Sequence, residues 1–147
     1  MATMAGKVRH IRDADPSVEL RAPGSAAVTA DGQSAAKALN TLVTAYWDNN
    51  EIPWDGIGAQ VVVSALDLAS TDETYAFALE VSTDEAFTVP VEVARQTVVA
   101  VGPTIIMVDA KSVKDRLPGA RFIRLKHDVG GTTPSLTYYA WLVHVGH

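Results

Sequence analysis

The residues best equipped for chemistry in this chain are four histidines, His10, His127, His144 and His147, and two adjacent carboxylate pairs, Asp72–Glu73 and Asp84–Glu85. A cupin-type metal centre needs a His-x-His pair, a following glutamate and a distant third histidine, because nitrogen and oxygen donors must converge on one ion. That spacing is absent here. His144 and His147 stand three apart, and on a strand such side chains point to opposite faces. There is no cysteine, so no thiolate site or disulfide framework is available. The carboxylate pairs fall in "STDET" and "STDEA", turn-like stretches in which Asp usually caps backbone N–H groups. A glycosidase pair would face each other across a groove at ~5–10 Å, a geometry that sequence spacing does not specify. Serine and threonine are plentiful, but no Gly-x-Ser-x-Gly elbow is present. Gly130-Gly131 lacks the Lys-Ser/Thr of a phosphate-binding loop and reads as a backbone turn. From these residues neither catalysis nor a metal site is expected.

The elements that carry these residues follow from composition and periodicity. The chain has 147 residues, 48% hydrophobic and 20% charged, which suits one folded domain rather than a disordered chain. Its longest apolar run, "TVVAVGPTIIMV", is interrupted by Pro103 and falls short of the ~20 residues of a membrane-spanning helix. The first residues, "MATMAGKVRHIRDADPS", carry positive charge with no apolar stretch behind it, so a secretory signal is not expected and a cytosolic site of synthesis is. The formal net charge is −5, without a basic stripe interleaved with aromatics, so nucleic acid is not expected as a direct partner. Charge is nonetheless uneven. No Lys or Arg occurs between Lys37 and Arg95, whereas residues 95–147 carry seven basic side chains. Such a split either steers association or simply marks solvated faces.

Residues 1–17 read as an extended N-terminal arm with Lys7, Arg9 and Arg12, and residues 18–147 as one β domain. "VELRA" ends at "PG"; "SAAVTA" ends at "DG", which favours a tight hairpin. "LNTLVTAYW" fits a two-sided strand better than a helix, and "WDNNEIPWDG" is a loop flanked by Trp47 and Trp54. "AQVVVSALDL" reads as a strand, and "TYAFALEVS" alternates Tyr75, Phe77, Leu79, Val81 against Ala76, Ala78, Glu80, Ser82. Strands follow at "TVPVEVARQTVVAVG" and "PTIIMVDA", then "KSVKDRLPG" with a helical turn, then two more strands within "ARFIRLKHDVGGTTPSLTYYAWLVHV". About eight short strands without intervening long helices predict an antiparallel β-sandwich or barrel.

Two motifs sharpen this. "FALEVSTDEAF", a strand running into Ser-Thr-Asp and an aromatic, and "ARFIRLKHDVGGTTPSLTYYAWL", a basic strand, Gly-Gly turn and aromatic closing strand, resemble tailed-bacteriophage capsid cement (decoration) proteins, the jelly-roll type of short-tailed phages. The likeness covers roughly residues 58–145. It implies an all-β jelly-roll sandwich that binds the outside of an icosahedral capsid and cements neighbouring subunits of the major capsid protein, with no enzyme activity and no cofactor. It also implies self-association, a homodimer first and a trimer second, with the protein made in the bacterial cytoplasm and resident on the virion surface. A β-sandwich module of a tail or fibre that binds carbohydrate or a receptor is the alternative, with Trp47 and Trp54 as its candidate platform.

The last strand poses the sharpest question. One face reads Leu136, Tyr138, Ala140, Leu142 and the other Tyr139, Trp141, Val143, Val145, so both are apolar. Aromatics are enriched at buried interface centres. Tyr139, Trp141 and Val143 are thus candidate interface residues, with Lys7, Arg9 and Arg12 as a basic arm for an acidic capsid or neighbouring-subunit surface. Cover of that face by the arm or by the 42–57 loop is the competing expectation.

Overall fold

The computed structural model describes residues 18–39 and 56–145. Its elements are β1 (Glu19–Arg21), β2 (Gly32–Gln33), β3 (Lys37–Ala38), β4 (Gly56–Leu66), β5 (Thr74–Ser82), β6 (Val91–Thr97), β7 (Gly102–Asp109), α1 (Ala110–Arg116), β8 (Phe122–Gly130) and β9 (Leu136–Val145). The strands form two antiparallel sheets. Sheet A runs β1-β9-β4-β7 and sheet B runs β2-β8-β5-β6, with β3 also paired to β8. The expected all-β sandwich is present.

Strict alternation explains why two layers form. On β4 the side chains of Ile57, Ala59, Val61 and Val63 are buried, and on β5 those of Tyr75, Phe77, Leu79 and Val81. Each set needs an apolar partner, and facing sheets supply it. β8 contributes Ile123 and Leu125, and β9 contributes Leu136, Tyr138, Ala140 and Leu142. Phe77 meets Tyr138 edge to face across the layers, with ring centroids 4.7 Å apart. β4 and β5 are neighbours in sequence but belong to different sheets, as do β8 and β9. The Gly130-Gly131 turn therefore crosses the sandwich rather than closing a hairpin. Gly131 has φ +108°, and a Cβ there would stand 2.6 Å from the Cα of Glu73, so the position needs glycine on both counts.

The expected hairpin at "DG" is not formed. Val28 bridges Leu136 of sheet A, whereas Gly32 pairs with His127 of sheet B, so the segment passes from one sheet to the other. Asp31 accepts the N–H of Val129 with its side chain instead of opening a primed turn. Gly32 serves close approach, since a Cβ would stand 2.8 Å from His127 Nε2. The "AKSVKDR" stretch forms a helix of seven residues, longer than a single turn. Asp109 caps it by accepting the N–H of Ser112 at 2.7 Å. Leu42–Trp47, the Trp47–Trp54 loop and the arm with Lys7, Arg9 and Arg12 lie outside the described residues.

Candidate functional site

The two sheets turn different chemistry outward. Sheet B presents Arg124 and Lys126 from β8 and Arg95 from β6, and these basic groups are matched within the sheet. Arg124 Nε donates to Glu80 at 2.8 Å, Arg95 to Asp128 at 2.5 Å and to Glu92 at 3.1 Å, and Lys126 Nζ lies 3.4 Å from Asp128. Burial pushes the Asp128 carboxyl up, and the hydrogen bond from Arg95 with the charge of Lys126 outweighs it, leaving the pKa below the usual carboxylate range. Ala76 and Ala78 on β5 are buried beneath this layer. Their small size leaves room for the long stems of neighbouring basic residues to cover them.

Sheet A presents an apolar face. In antiparallel ladders, residues opposite each other share a face, so the registers fix three rows across three strands. Val143, Gly58 and Met107 form one row, Trp141, Gln60 and Ile105 the next, and Tyr139, Val62 and Pro103 the third. Glu19 of β1 lies opposite Trp141 at the margin. Tyr139 and Trp141 stack at 5.9 Å with an interplanar angle of 16°. Gln60, the polar centre of the array, donates through Nε2 to the carbonyl of Thr104 at 3.1 Å. Its fixed amide leaves the carbonyl end as an acceptor. Ile105 and Met107 are each 48% exposed, and Tyr139, Trp141 and Val143 are half-buried.

Of the candidate interface residues, the structure thus places Tyr139, Trp141 and Val143 on one face of β9, on the side away from the core. Sequence reasoning missed Ile105, Met107, Pro103 and Val62, which complete the surface. The signal was available in "PTIIMV", where apolar residues occupy both parities, but β4 and β7 had to be known as neighbours before these side chains could be joined to Trp141.

Three of the four paired carboxylates, Asp72, Glu73 and Asp84, hold turns together. Asp72 accepts from the backbone N–H and the hydroxyl of Thr132, at 3.1 and 2.6 Å, and those bonds hold its pKa below the usual value. Glu73 accepts from Ser70 N–H and Thr133 Oγ1. Tyr75 donates its hydroxyl proton to the carbonyl of Asp67 at 2.5 Å and accepts from Ser135 N–H. Together they clasp the β4–β5 turn to the β8–β9 turn. Asp84 accepts from Ser82 Oγ and from both the N–H and the hydroxyl of Thr88. Thr88, Ser82 and the Thr88 backbone lower its pKa in that order. That loop brings Phe87, at φ 54°, under the Arg124 guanidinium, 4.2 Å from ring centroid to Cζ. The Ser-Thr-Asp-aromatic motif therefore folds a loop onto sheet B.

His127 is a buried tie between the sheets. Its Nδ1 is 2.8 Å from the Tyr138 hydroxyl, whose ring lies under Arg21 at 4.9 Å. Burial, then the charge of Arg21, depress the His127 pKa; burial pushes Tyr138 up to about 12. A neutral imidazole accepting the tyrosine proton satisfies both groups. Among the described residues, no cluster of three or more His, Asp or Glu is arranged to hold a metal ion, and no helix is long and apolar enough to cross a membrane. Comparison with family models, curated proteins and solved structures finds no match for this chain.

Proposed function

We propose that this chain is a structural virion protein that binds the outside of an icosahedral phage capsid and cements neighbouring major capsid subunits. The observation that carries this reading is the asymmetry of the sandwich: sheet B's outer face is closed by its own ion pairs, and sheet A's outer face is apolar and aromatic. A protein that works by one-sided docking requires such a division, because an apolar face gains free energy only when a partner removes it from water. Sheet A supplies the docking face, with Trp141 in its middle row, and sheet B faces solvent. The role is binding rather than catalysis.

We also read the sandwich as a jelly-roll. Counting β2 and β3 as two halves of one strand gives eight strands, in the orders 1-8-3-6 and 2-7-4-5. That is the arrangement produced by two Greek keys, and it supports the reading. The size of the face sets a further requirement. Three strands ~4.8 Å apart and three alternate positions ~6.8 Å apart, with side-chain margins, span roughly 400–500 Å². A standard interface buries about 800 Å² per partner, so further contacts must join the array. The arm bearing Lys7, Arg9 and Arg12 and a second copy of the chain are the proposed sources.

Co-sedimentation tests the proposal. Purified chain is mixed with DNA-filled heads of the phage that encodes it, stripped of decoration, and with a glycan panel in parallel. Saturable binding to heads, lost in Trp141→Ala and accompanied by higher thermal stability of the heads, is expected. Glycan binding without head binding would replace the cement reading with a tail or fibre module.

A further inference from the structure

The stretch between β1 and β3 crosses from one sheet to the other as a strap, and both of its ends are fastened to one buried pair. At the sheet A end Arg21 donates through Nε to the carbonyl of Tyr138 at 3.2 Å and through Nη2 to the carbonyl of Ala26, with its guanidinium over the Tyr138 ring. At the sheet B end Gly32 pairs with His127, and the imidazole hydrogen-bonds the backbone carbonyl of Ala30. Tyr138 and His127 are joined to each other at 2.8 Å. The strap itself is thinly held. Between Leu20 and Leu39 no side chain is fully buried. Its anchors among the described residues include the backbone bonds of Val28 with Leu136 and of Ser34 with Leu125, and Asp31 accepting the Val129 N–H. A segment with so few buried apolar contacts opens at a lower free energy than the sheets beneath it.

Closure over His127 suits only the neutral ring. That ring accepts the Tyr138 proton at Nδ1 and donates to Ala30, whereas a protonated ring has no acceptor left, so the tyrosine proton loses its partner. The new charge would also share the Tyr138 ring with a second cation, since the His127 centroid lies 5.6 Å from that ring's centroid and Arg21 Cζ 4.9 Å. The charged and titratable groups around the imidazole are Arg21 from β1, Asp31 from the strap, Asp128 beside it on β8 and Tyr138 from β9; its partner on β5 is the uncharged Phe77. Burial and then the charge of Arg21 outweigh the Ala30 bond and the two carboxylates, so the covered imidazole takes its proton below its ordinary pKa. An uncovered imidazole returns toward about 6.5. The open strap therefore binds the proton more readily than the closed one, and acid favours opening. We propose that residues 22–34 form a pH-sensitive strap, closed over the His127–Tyr138 pair while His127 is neutral and released from both sheets when it is protonated, with the sheets themselves intact. This device does not depend on the capsid reading.

Amide hydrogen exchange on the full chain, followed by NMR from about pH 8 to about pH 4 with and without low urea, tests this. Expressed as protection factors, the amides of Val28, Ser34 and Val129 should lose up to about tenfold per pH unit below about 6.5, the limit set by one proton. The loss should level off where the His127 ring signals themselves titrate, and it should depend little on urea. The amides of Val61 and Phe77, in the central strands β4 and β5, should stay better protected at every pH and keep the full urea dependence of global unfolding. His127→Gln should flatten the strap's pH dependence. Three results would overturn the proposal: strap amides that share the protection and urea dependence of Val61 and Phe77 throughout, strap protection indifferent to pH, or a His127 ring that titrates while the strap keeps its full protection. All three are read on the wild-type chain, so the outcome stands even where the glutamine variant does not fold.

Discussion

Trp141 and Leu142 are neighbours on β9 with opposite assignments, and truncating each to alanine separates the two faces. Leu142 is fully buried in the core. Its truncation removes transfer free energy and leaves a cavity, costing about 2–5 kcal/mol. For a chain of this size each kcal/mol shifts Tm by roughly 2–4 °C, so Leu142→Ala should lower Tm by about 6–12 °C for a mid-range cost of about 3 kcal/mol. Trp141 is half-buried, and its ring stacks on that of Tyr139 at 5.9 Å. Such a stack contributes about 0.5–1.5 kcal/mol beyond the area it buries, and no enclosed cavity opens at a half-buried surface position, so Trp141→Ala should lower Tm by less than Leu142→Ala. Binding should show the reverse order. A central interface aromatic costs about 2 kcal/mol or more when truncated, roughly thirtyfold in Kd, whereas Leu142→Ala, measured below its Tm, should bind heads like wild type. Calorimetry on the isolated chain and co-sedimentation with heads read the two effects separately. If Trp141→Ala destabilised the isolated chain as much as Leu142→Ala, the outer face would be covered within the chain and its assignment as an interface would fail.

Three further outcomes follow from the geometry. His127 has a folded pKa below its ordinary 6.5, so on acidification the unfolded chain takes up that proton first; stability should fall as pH drops below about 6.5 and level off below the folded value. Urea melts from pH 8 to 5 should show this loss relative to His127→Gln, and parallel curves would refute it. In the clasp between turns, Gly131→Ala should cost about 1–3 kcal/mol in urea unfolding, because backbone of Asp72 and Glu73 blocks the new Cβ at a positive φ. Asp72→Ala should cost less and chiefly speed exchange of the Thr132 amide; the opposite order would refute the steric argument. Deleting residues 1–15, which removes Lys7, Arg9 and Arg12, should reduce head binding most at low salt, where unscreened charge acts furthest. A deletion that leaves the salt dependence unchanged would remove the arm from the interface.

Which parts were legible in the sequence depended on whether the signal was local. β5 matches "TYAFALEVS" residue for residue, because alternation of large and small side chains fixes both the strand and its core face without reference to the rest of the chain. The double apolar face of β9 was legible for the same reason. Asp31-Gly32 was misleading because its turn chemistry is real but is overridden. Asp31 finds the Val129 amide, and Gly32 is required by the imidazole of His127, partners roughly a hundred residues away. The His127–Tyr138 tie was equally invisible, since the two groups lie in different sheets and only the folded topology brings them within 2.8 Å.

The same logic accounts for the candidate surface. A residue such as Ile105 is unremarkable in sequence, where an exposed isoleucine needs no explanation. It acquires meaning when the registers of β4 with β7 and β9 align it with Gln60 and Trp141. At that point one side of the molecule has three rows of largely apolar side chains and the other has its basic residues tied to carboxylates. Selection for solubility alone would place charge on both faces, as it does on β6. Retaining Trp141, Ile105 and Met107 on the outside is reasonable for a chain whose working state has that face against another protein. The first perturbation to examine is therefore the one that removes Trp141 and leaves the core beneath it intact.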